Sequence, residues 1–530
     1  MTPLNSGSLP CLRGVHGLPP WFKVLSERRF VNAVVGYSLA VDRTYCQAHS
    51  TGAGRLVDGA APVSAMSDLL AARTLMALSL GFHIVFAVIG MAMPVLMVLA
   101  ERRWQRDRDP LDRMLADRWA KGTAILFAIG AVSGTALSFE LGLLWPTFMR
   151  HAGPIVGMPF SLEGFAFFLE SIFLGLYLYG RQRVGERAHL LCGAMVALCG
   201  MASGALVIAA NAWMNTPQGF DVRIAGVVHA IHSPTDWPIG ARLAAAEVLA
   251  IRPWEAMFNP AFLSQALHMV LASLATVGLA VAGVHAAMLL RDPENAFHRR
   301  AVGLALPMAL IFSALVPLSG DLAAKHIARH QPVKLAAAEA HFHTESGAAL
   351  LVGGIPDAKA GQTVGALALP KLLSILAFAD PDATVRGLLD FPRDQWPPLI
   401  VTHLAFDLMV GCGLAMVSVS ALAWWLARKG RLWRSRGALR LLAMAAPLGF
   451  VAIEAGWVVT EVGRQPWIVR GMMRTAEAVT PMPHLGVPLA AFAVLYSVLA
   501  VVCALLLRAH VLASPTAAQL AAAQTEPGHG

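Results

Sequence analysis

The chain divides into long apolar runs separated by short polar punctuation. Runs of about 20 or more mostly apolar residues lie near 70–100, 119–142, 160–180, 187–213, 260–290, 301–320, 398–427, 440–463 and 485–508. Each is long enough to cross the roughly 30 Å hydrocarbon core of a bilayer as a helix. Short alternating strands of the kind a membrane barrel needs do not occur. The pattern predicts an all-α, polytopic membrane bundle with nine transmembrane helices. Residues 66–320 hold helices one to six and 398–510 hold helices seven to nine. Two connections, roughly 214–259 and 321–397, are too long for turns, and loops of that length are functional or disordered. Residues 1–65 contain no run long enough to span and no signal-peptide pattern, so they read as a disordered extension, with Met66 a natural start. Residues 511–530 read as a disordered tail.

Composition removes the soluble classes. Hydrophobic residues make up 57% and charged residues 14%, against roughly 25% charged in a soluble chain. The net charge of +9 would point to nucleic acid if the basic residues were scattered or patched. They are not. The connections after the first, third, fifth and seventh runs carry seven, three, three and six Lys/Arg, close to half of the 41 in the chain. The short opposite connections carry few: Arg150 between the second and third runs, and Arg464, Arg470 and Arg474 between the last two. The positive-inside bias therefore puts the N-terminus outside and the C-terminus inside. The partner implied is a lipid bilayer, with no nucleic acid. The six cysteines form no CxxC pair, and Cys192, Cys199, Cys412 and Cys503 fall in apolar runs, where a thiol packs.

Polar residues inside the runs are the candidates for chemistry, because an acid at the bilayer centre costs about 2.5–3.5 kcal/mol. Glu163 and Glu170 in the third run are seven apart and share a helix face. Glu140 ends the second run. Glu454, Trp457 and Glu461 share a face of the eighth, with Arg464 following. His83 lies in the first run, His268 in the fifth and Met409 in the seventh. A His and a Met at matched depth on different helices can clamp a haem iron axially, and Gly411 and Gly413 leave room for a flat porphyrin. His285 and His403 stay open as alternatives by pattern.

Several segments together resemble subunit I of the cytochrome bd-type quinol oxidases. They are His83 in the first run, EGFAFFLES, ANAWMNTP, the FNP-to-His268 stretch, VKLAAAEA, MVGCG around Met409 and EAGWVVTEVGRQPW. All occur in order between about 66 and 510. The resemblance implies a terminal respiratory oxidase that takes electrons from quinol at the outer face. It implies His268 and Met409 as axial ligands of a low-spin haem b. His83 and Glu461 are implied as ligands of two high-spin haems, one a haem b and the oxygen-site one a haem d or a further haem b. Glu163 and Glu170 would carry protons from the inner side, Trp457 and Arg464 would pack near the haems, and Arg464 would neutralise propionates. Lys334 and Glu339 match a quinol-binding pair in the outer loop 321–397: Glu339 as base, Lys334 orienting the quinol oxygen.

Also implied are O2 as the second substrate, a second large membrane subunit (subunit II), a small accessory subunit and the bacterial inner membrane as location. Two features depart from the family pattern. Asp407 stands two before Met409 where a basic residue is usual, and the segment after VKLAAAEA is short, as in the cyanide-insensitive branch. The rival reading is a proton-coupled secondary transporter whose intramembrane acids couple substrate. It leaves the two histidines, the methionine and GRQPW without a shared purpose, and no repeat relates the halves of the chain.

Overall fold

A computed structural model describes residues 68–512 and 514–515. The 1–65 extension, Met66 and most of the 511–530 tail lie outside the described residues. Among the described residues nine helices are long and apolar enough to cross a membrane: α1 (Asp68–Asp107), α2 (Pro110–Leu144), α3 (Pro146–Tyr179), α4 (Glu186–Asn215), α5 (Phe262–Leu289), α6 (Ala296–His330), α7 (Leu399–Arg428), α8 (Arg436–Val462) and α9 (Gly486–His510). The nine-helix expectation holds, and several helices outrun the apolar runs that predict them. The 40 residues of α1 extend about 60 Å, twice the hydrocarbon thickness, so its polar end projects beyond the core. The sixth helix does not stop at 320. Lys325 and Asp321, one turn apart, pair at 2.5 Å, and Arg329 and His330 finish the last turn, where cations suit the helix dipole. The long connection after α6 therefore begins after His330.

Local chemistry sets the helix starts. Asp109 caps α2 by accepting from the Leu111 amide, Asn295 caps α6 through His298, and Ser435 caps α8 through Ala438. Pro447 divides α8 into Arg436–Ala445 and Leu448–Val462, because proline has no amide for the ladder. In the bundle α5 lies along α6, α1 along α2 and α3 along α4, while α7 packs on α8 and α6. A Cβ at Gly278 of α5 would stand 2.7 Å from the Ala309 amide nitrogen of α6, so glycine lets these two backbones meet. Met97, Leu115, Leu279, Leu306 and Leu442 fill the core between α1, α2, α5, α6 and α8. Phe165, Phe168 and Leu169 of α3 and Val494, Val498 and Leu505 of α9 face outward.

The long connections gather at one end and are folded. Residues 216–261 hold an antiparallel sheet of order β2-β1-β3, with β1 Phe220–Ile224, β2 Val227–Ile231 and β3 Glu247–Ile251. Its inner face packs against Trp213 and Ile155. The 331–398 segment holds a helix Pro332–Ala338, three two-stranded pairs and a helix Leu372–Phe378, closed around Leu335, Ala348 and Leu373. Among the described residues, strands occur in these two segments and as one short pair, Trp467–Val469 with Met473–Arg474, in the connection between α8 and α9, and the spanning elements are all helix. The Thr480 amide donates to Leu144 O at 2.8 Å and the Arg470 amide to Met214 O at 3.0 Å. The Leu485 amide donates to Asp68 Oδ1 at 3.0 Å. These bonds tie the last connection to the ends of α2, α4 and α1. The basic connections occupy the opposite end.

Candidate functional site

His83 and His268 each sit against the same dipeptide on a neighbouring helix. His83 meets Ser133–Gly134 of α2, Nδ1 being 3.0 Å from Ser133 Oγ. His268 meets Ser319–Gly320 of α6, Nδ1 being 2.9 Å from Ser319 Oγ. Each hydroxyl already donates back along its own helix, Ser133 to Gly130 O at 3.1 Å and Ser319 to Val316 O at 2.9 Å. It can therefore only accept from the ring. Nδ1 carries the proton and Nε2 keeps its lone pair, the tautomer a metal-binding histidine needs. The glycines clear the rings: a Cβ at Gly134 would be 2.9 Å from His83 Cε1, and one at Gly320 would be 3.4 Å from His268 Cε1. Met409 has a glycine of its own, Gly456 of α8, whose Cβ would lie 2.9 Å from the sulfur.

The alternative histidines are engaged differently. His285 Nδ1 lies 2.9 Å from His298 Nδ1. His403 Nδ1 donates to Ala338 O at 2.8 Å, and its Nε2 is 3.5 Å from Asp407 Oδ2. Asp407, the departure beside Met409, thus lies next to a histidine of its own helix, and it is His403 that bonds the Pro332–Ala338 helix.

Acids from three helices converge on one stretch of α1. Glu140 of α2 accepts from Ser79 Oγ at 2.7 Å and from Tyr496 Oη at 3.4 Å. Glu454 of α8 reaches Gly81, where a Cβ would stand 3.4 Å from Oε2. One oxygen of each, Glu140 Oε2 and Glu454 Oε1, is buried without a hydrogen-bond partner. Glu170 of α3 lies between Gly90 of α1 and Gly200 of α4, and Glu163 accepts from Ser203 at 3.3 Å. Glu140, Glu454 and Glu170 thus meet the stretch of α1, residues 79–90, that carries His83.

At the capped end a chain of side chains runs from the outer loop to α8. Lys334 Nζ donates to Asn215 Oδ1 at 3.2 Å, Asn215 Nδ2 to Asn211 Oδ1 at 3.2 Å, and Asn211 Nδ2 to Glu461 Oε1. Arg464 Nη2 donates to Glu461 Oε2 at 2.5 Å. Each Glu461 oxygen keeps a lone pair beyond these bonds. Arg464 Nε and Nη1 are buried with no partner, two donors that call for an anionic group such as a propionate. Trp457, one turn before Glu461, is partly buried. The donor set (two histidines with free Nε2, a thioether, a carboxylate and an arginine lacking acceptors) fits haem.

Lys334 and Glu339 are not a mutual pair. Burial first, and then the Arg464 cation, pulls the Lys334 ammonium down to about 7 against Glu461. Burial first, and then Asp407, pushes the Glu339 carboxyl up to about 8. Beyond Glu339 a cleft of about 190 Å3 is lined by His341, His343, Glu345, Leu351, Gln362 and Thr363. His341 Nε2 is buried without a partner. Sequence reading missed Ser133, Ser319 and His341. A signal for the serines existed, a Ser-Gly dipeptide in the second and sixth spans. Asn211 and Asn215 stood in ANAWMNTP without a role.

Residues 71–515 match the family model for cytochrome bd terminal oxidase subunit I. The chain is similar to cytochrome bd ubiquinol oxidase subunit 1 of Bacillus subtilis (strain 168), 30% identical over 449 residues that cover 82% of this chain and 91% of that protein. It is also similar to cytochrome bd-II ubiquinol oxidase subunit 1 of Escherichia coli (strain K12), 27% identical over 473 residues, 76% of this chain and 88% of that one. The solved bd oxidase from Geobacillus thermodenitrificans matches with a TM-score of 0.75 and 39% identity, covering 83% of this chain and 98% of the solved one. The chain belongs to the cytochrome bd terminal oxidase subunit I family.

Proposed function

We propose that the capped end of the bundle is the outer face, where quinol is oxidised, and that O2 is reduced to water at one of the two high-spin haem sites of His83 and Glu461, with protons drawn from the basic, inner face. Family membership makes the chain a subunit of a quinol:oxygen oxidoreductase that carries haem in a bacterial membrane. The observation that carries the finer reading is the repeated His–Ser–Gly arrangement, which leaves His83 Nε2 and His268 Nε2 each with a free lone pair. Bound haem would supply the electron and oxygen chemistry: His268 and Met409 would hold a low-spin haem b, and His83 and Glu461 would hold a high-spin pair, a haem b and an oxygen-site haem d or further haem b.

The side chains do the rest. Glu339 takes a quinol proton in its ionised form. Lys334 donates to the quinol oxygen or, when no quinol is bound, to Asn215. Arg464 holds propionates through its free Nε and Nη1, and Trp457 packs beside it. Glu163 and Glu170 deliver protons along α3. The N-terminus lies outside and the C-terminus inside, in the inner membrane. Residues 331–398 form the quinol loop, and 1–65 and the tail take no part. The outward apolar faces of α3 and α9 suit a second large subunit and a small accessory one.

The test is a dithionite-reduced minus air-oxidised spectrum of membranes holding the protein with its partners. Haem bands are expected, and a far-red band assigns haem d to the oxygen site. Met409→Leu should abolish the low-spin signal while the chain still inserts. An unchanged low-spin band in that variant removes Met409 as a ligand.

A further inference from the structure

We infer that Glu101, His189 and Tyr177 form a proton-loading cluster at the basic end of the bundle that feeds Glu170 and Glu163. The inference rests on the proposed function and deepens it with residues that its steps leave unused. Glu101 near the end of α1, Tyr177 near the end of α3 and His189 in the first turn of α4 are all at most 2% exposed. Tyr177 Oη donates to Glu101 Oε2. His189 stands between two acceptors, with Nδ1 2.6 Å from Glu101 Oε1 and Nε2 2.8 Å from the Tyr177 carbonyl oxygen. A carbonyl can only accept, so Nε2 carries a proton. A second proton then lies on the line between Nδ1 and Oε1, on the ring or on the carboxyl. The cluster stores one exchangeable proton in a dry site.

Both ends of this store are connected. Towards water, Arg181 stands 3.5 Å from Glu101 and 2.8 Å from Asp117 of α2, and the Asp117 side chain is 43% exposed. Gln105 donates to Glu101 Oε1 at 3.3 Å, the Trp104 ring lies 5.4 Å from the Arg181 guanidinium, and Cys192 of α4 is the remaining titratable neighbour. Towards the bundle centre, Tyr177, Glu170 and Glu163 recur every seven residues on α3, one stripe with steps of about 10 Å. The facing stripe of α4 is nearly bare. A Cβ at Gly193 would be 2.9 Å from the Tyr177 ring and one at Gly200 would be 3.2 Å from Glu170 Oε1, while Ser203 Oγ donates to Glu163. Ordered water between polar groups at this spacing would complete the relay. A proton leaves the shared line through the Tyr177 hydroxyl and water to Glu170, then Glu163. One taken up past Asp117 and Arg181 replaces it, and the cluster returns to its starting charge. A clamp for three helix ends would need no such store, and a buried ion pair adds little stability for its desolvation.

The experiment uses the whole oxidase with its accompanying subunits in liposomes, reduced by quinol and mixed with O2 in the presence of a pH dye. In Glu101→Gln, proton uptake from the basic side should slow about tenfold or more, with a raised solvent deuterium isotope effect. Anaerobic reduction of the haems by quinol should keep its rate. Tyr177→Phe should slow uptake in the same sense, and formate added to Glu101→Ala should restore part of it. Unchanged uptake in Glu101→Gln and Tyr177→Phe at wild-type haem content overturns the proposal. So does an equal slowing of uptake and quinol-driven reduction, which would mark a general structural defect. If Glu101→Gln does not assemble, Tyr177→Phe alone decides. A wild-type protein without quinol oxidation would instead overturn the proposed function.

Discussion

At the scale of single residues, the two serines behind His83 and His268 hold the tautomers on which any iron binding there depends. Ser319→Ala removes the acceptor for His268 Nδ1–H, and the ring is then free to present either nitrogen. Loss of such a partner weakens metal binding about 10- to 100-fold. The low-spin band should therefore fall relative to protein after detergent purification while the high-spin bands stay. Ser133→Ala should do the reverse through His83. Spectra in which either variant lowers all bands alike would break the pairing of each serine with its own site. Glu339 carries a second residue-scale expectation. Its carboxyl is raised to about 8 by burial and then Asp407, so near neutral pH it is mostly protonated and cannot act as base. Quinol oxidation should rise with pH towards about 8 as the anion forms. Glu339→Gln should lower the rate and remove that rising limb. Oxygen consumption driven by an artificial reductant is the control, and equal loss in both assays would take Glu339 out of the quinol site.

At the scale of elements, what was legible follows from what lipid enforces. In hydrocarbon every backbone polar group must be satisfied within the element, so a long apolar run is bound to be a helix. The ends obey different rules. The third apolar run begins near 160 in the sequence, just after Pro154 and Pro159. Yet α3 starts at Pro146 and carries both prolines inside, as packed membrane helices can where neighbours satisfy the freed carbonyls. The site divides in the same way. His83, His268, Met409 and the buried acids stood out because polar groups in lipid need a reason. A serine in a helix does not stand out, and Ser133 and Ser319 gain meaning only from rings 50 and 51 residues away. Lys334 and Glu339, expected together at the quinol site, face different neighbours. Five residues along a helix is a rotation of about 140°, so Lys334 turns to Asn215 of α4, while Glu339 feels Asp407 of α7.

At the scale of the whole molecule, the two ends differ in kind. One is a folded cap that carries Lys334, Glu339 and the Arg464–Glu461 pair. The other carries the basic connections and the Glu101 cluster. The acids of α3 lie between them, and the bundle core is apolar. With quinol oxidised at the cap and water formed from protons taken at the basic end, charge crosses the membrane without any proton travelling the full width. The expectation is quantitative in kind. In liposomes with the cap outward, each quinol gives up two electrons and two protons, so acid should appear outside in step with electrons delivered. An equal number of protons should vanish from inside. Dyes trapped within and added without read the two sides separately, and an uncoupler should abolish both gradients while oxygen consumption continues. More protons outside than electrons delivered would mean a pump and would overturn this scheme. Acid appearing inside would mean that the basic end faces out, and the sidedness derived from the Lys/Arg bias would have to be reversed.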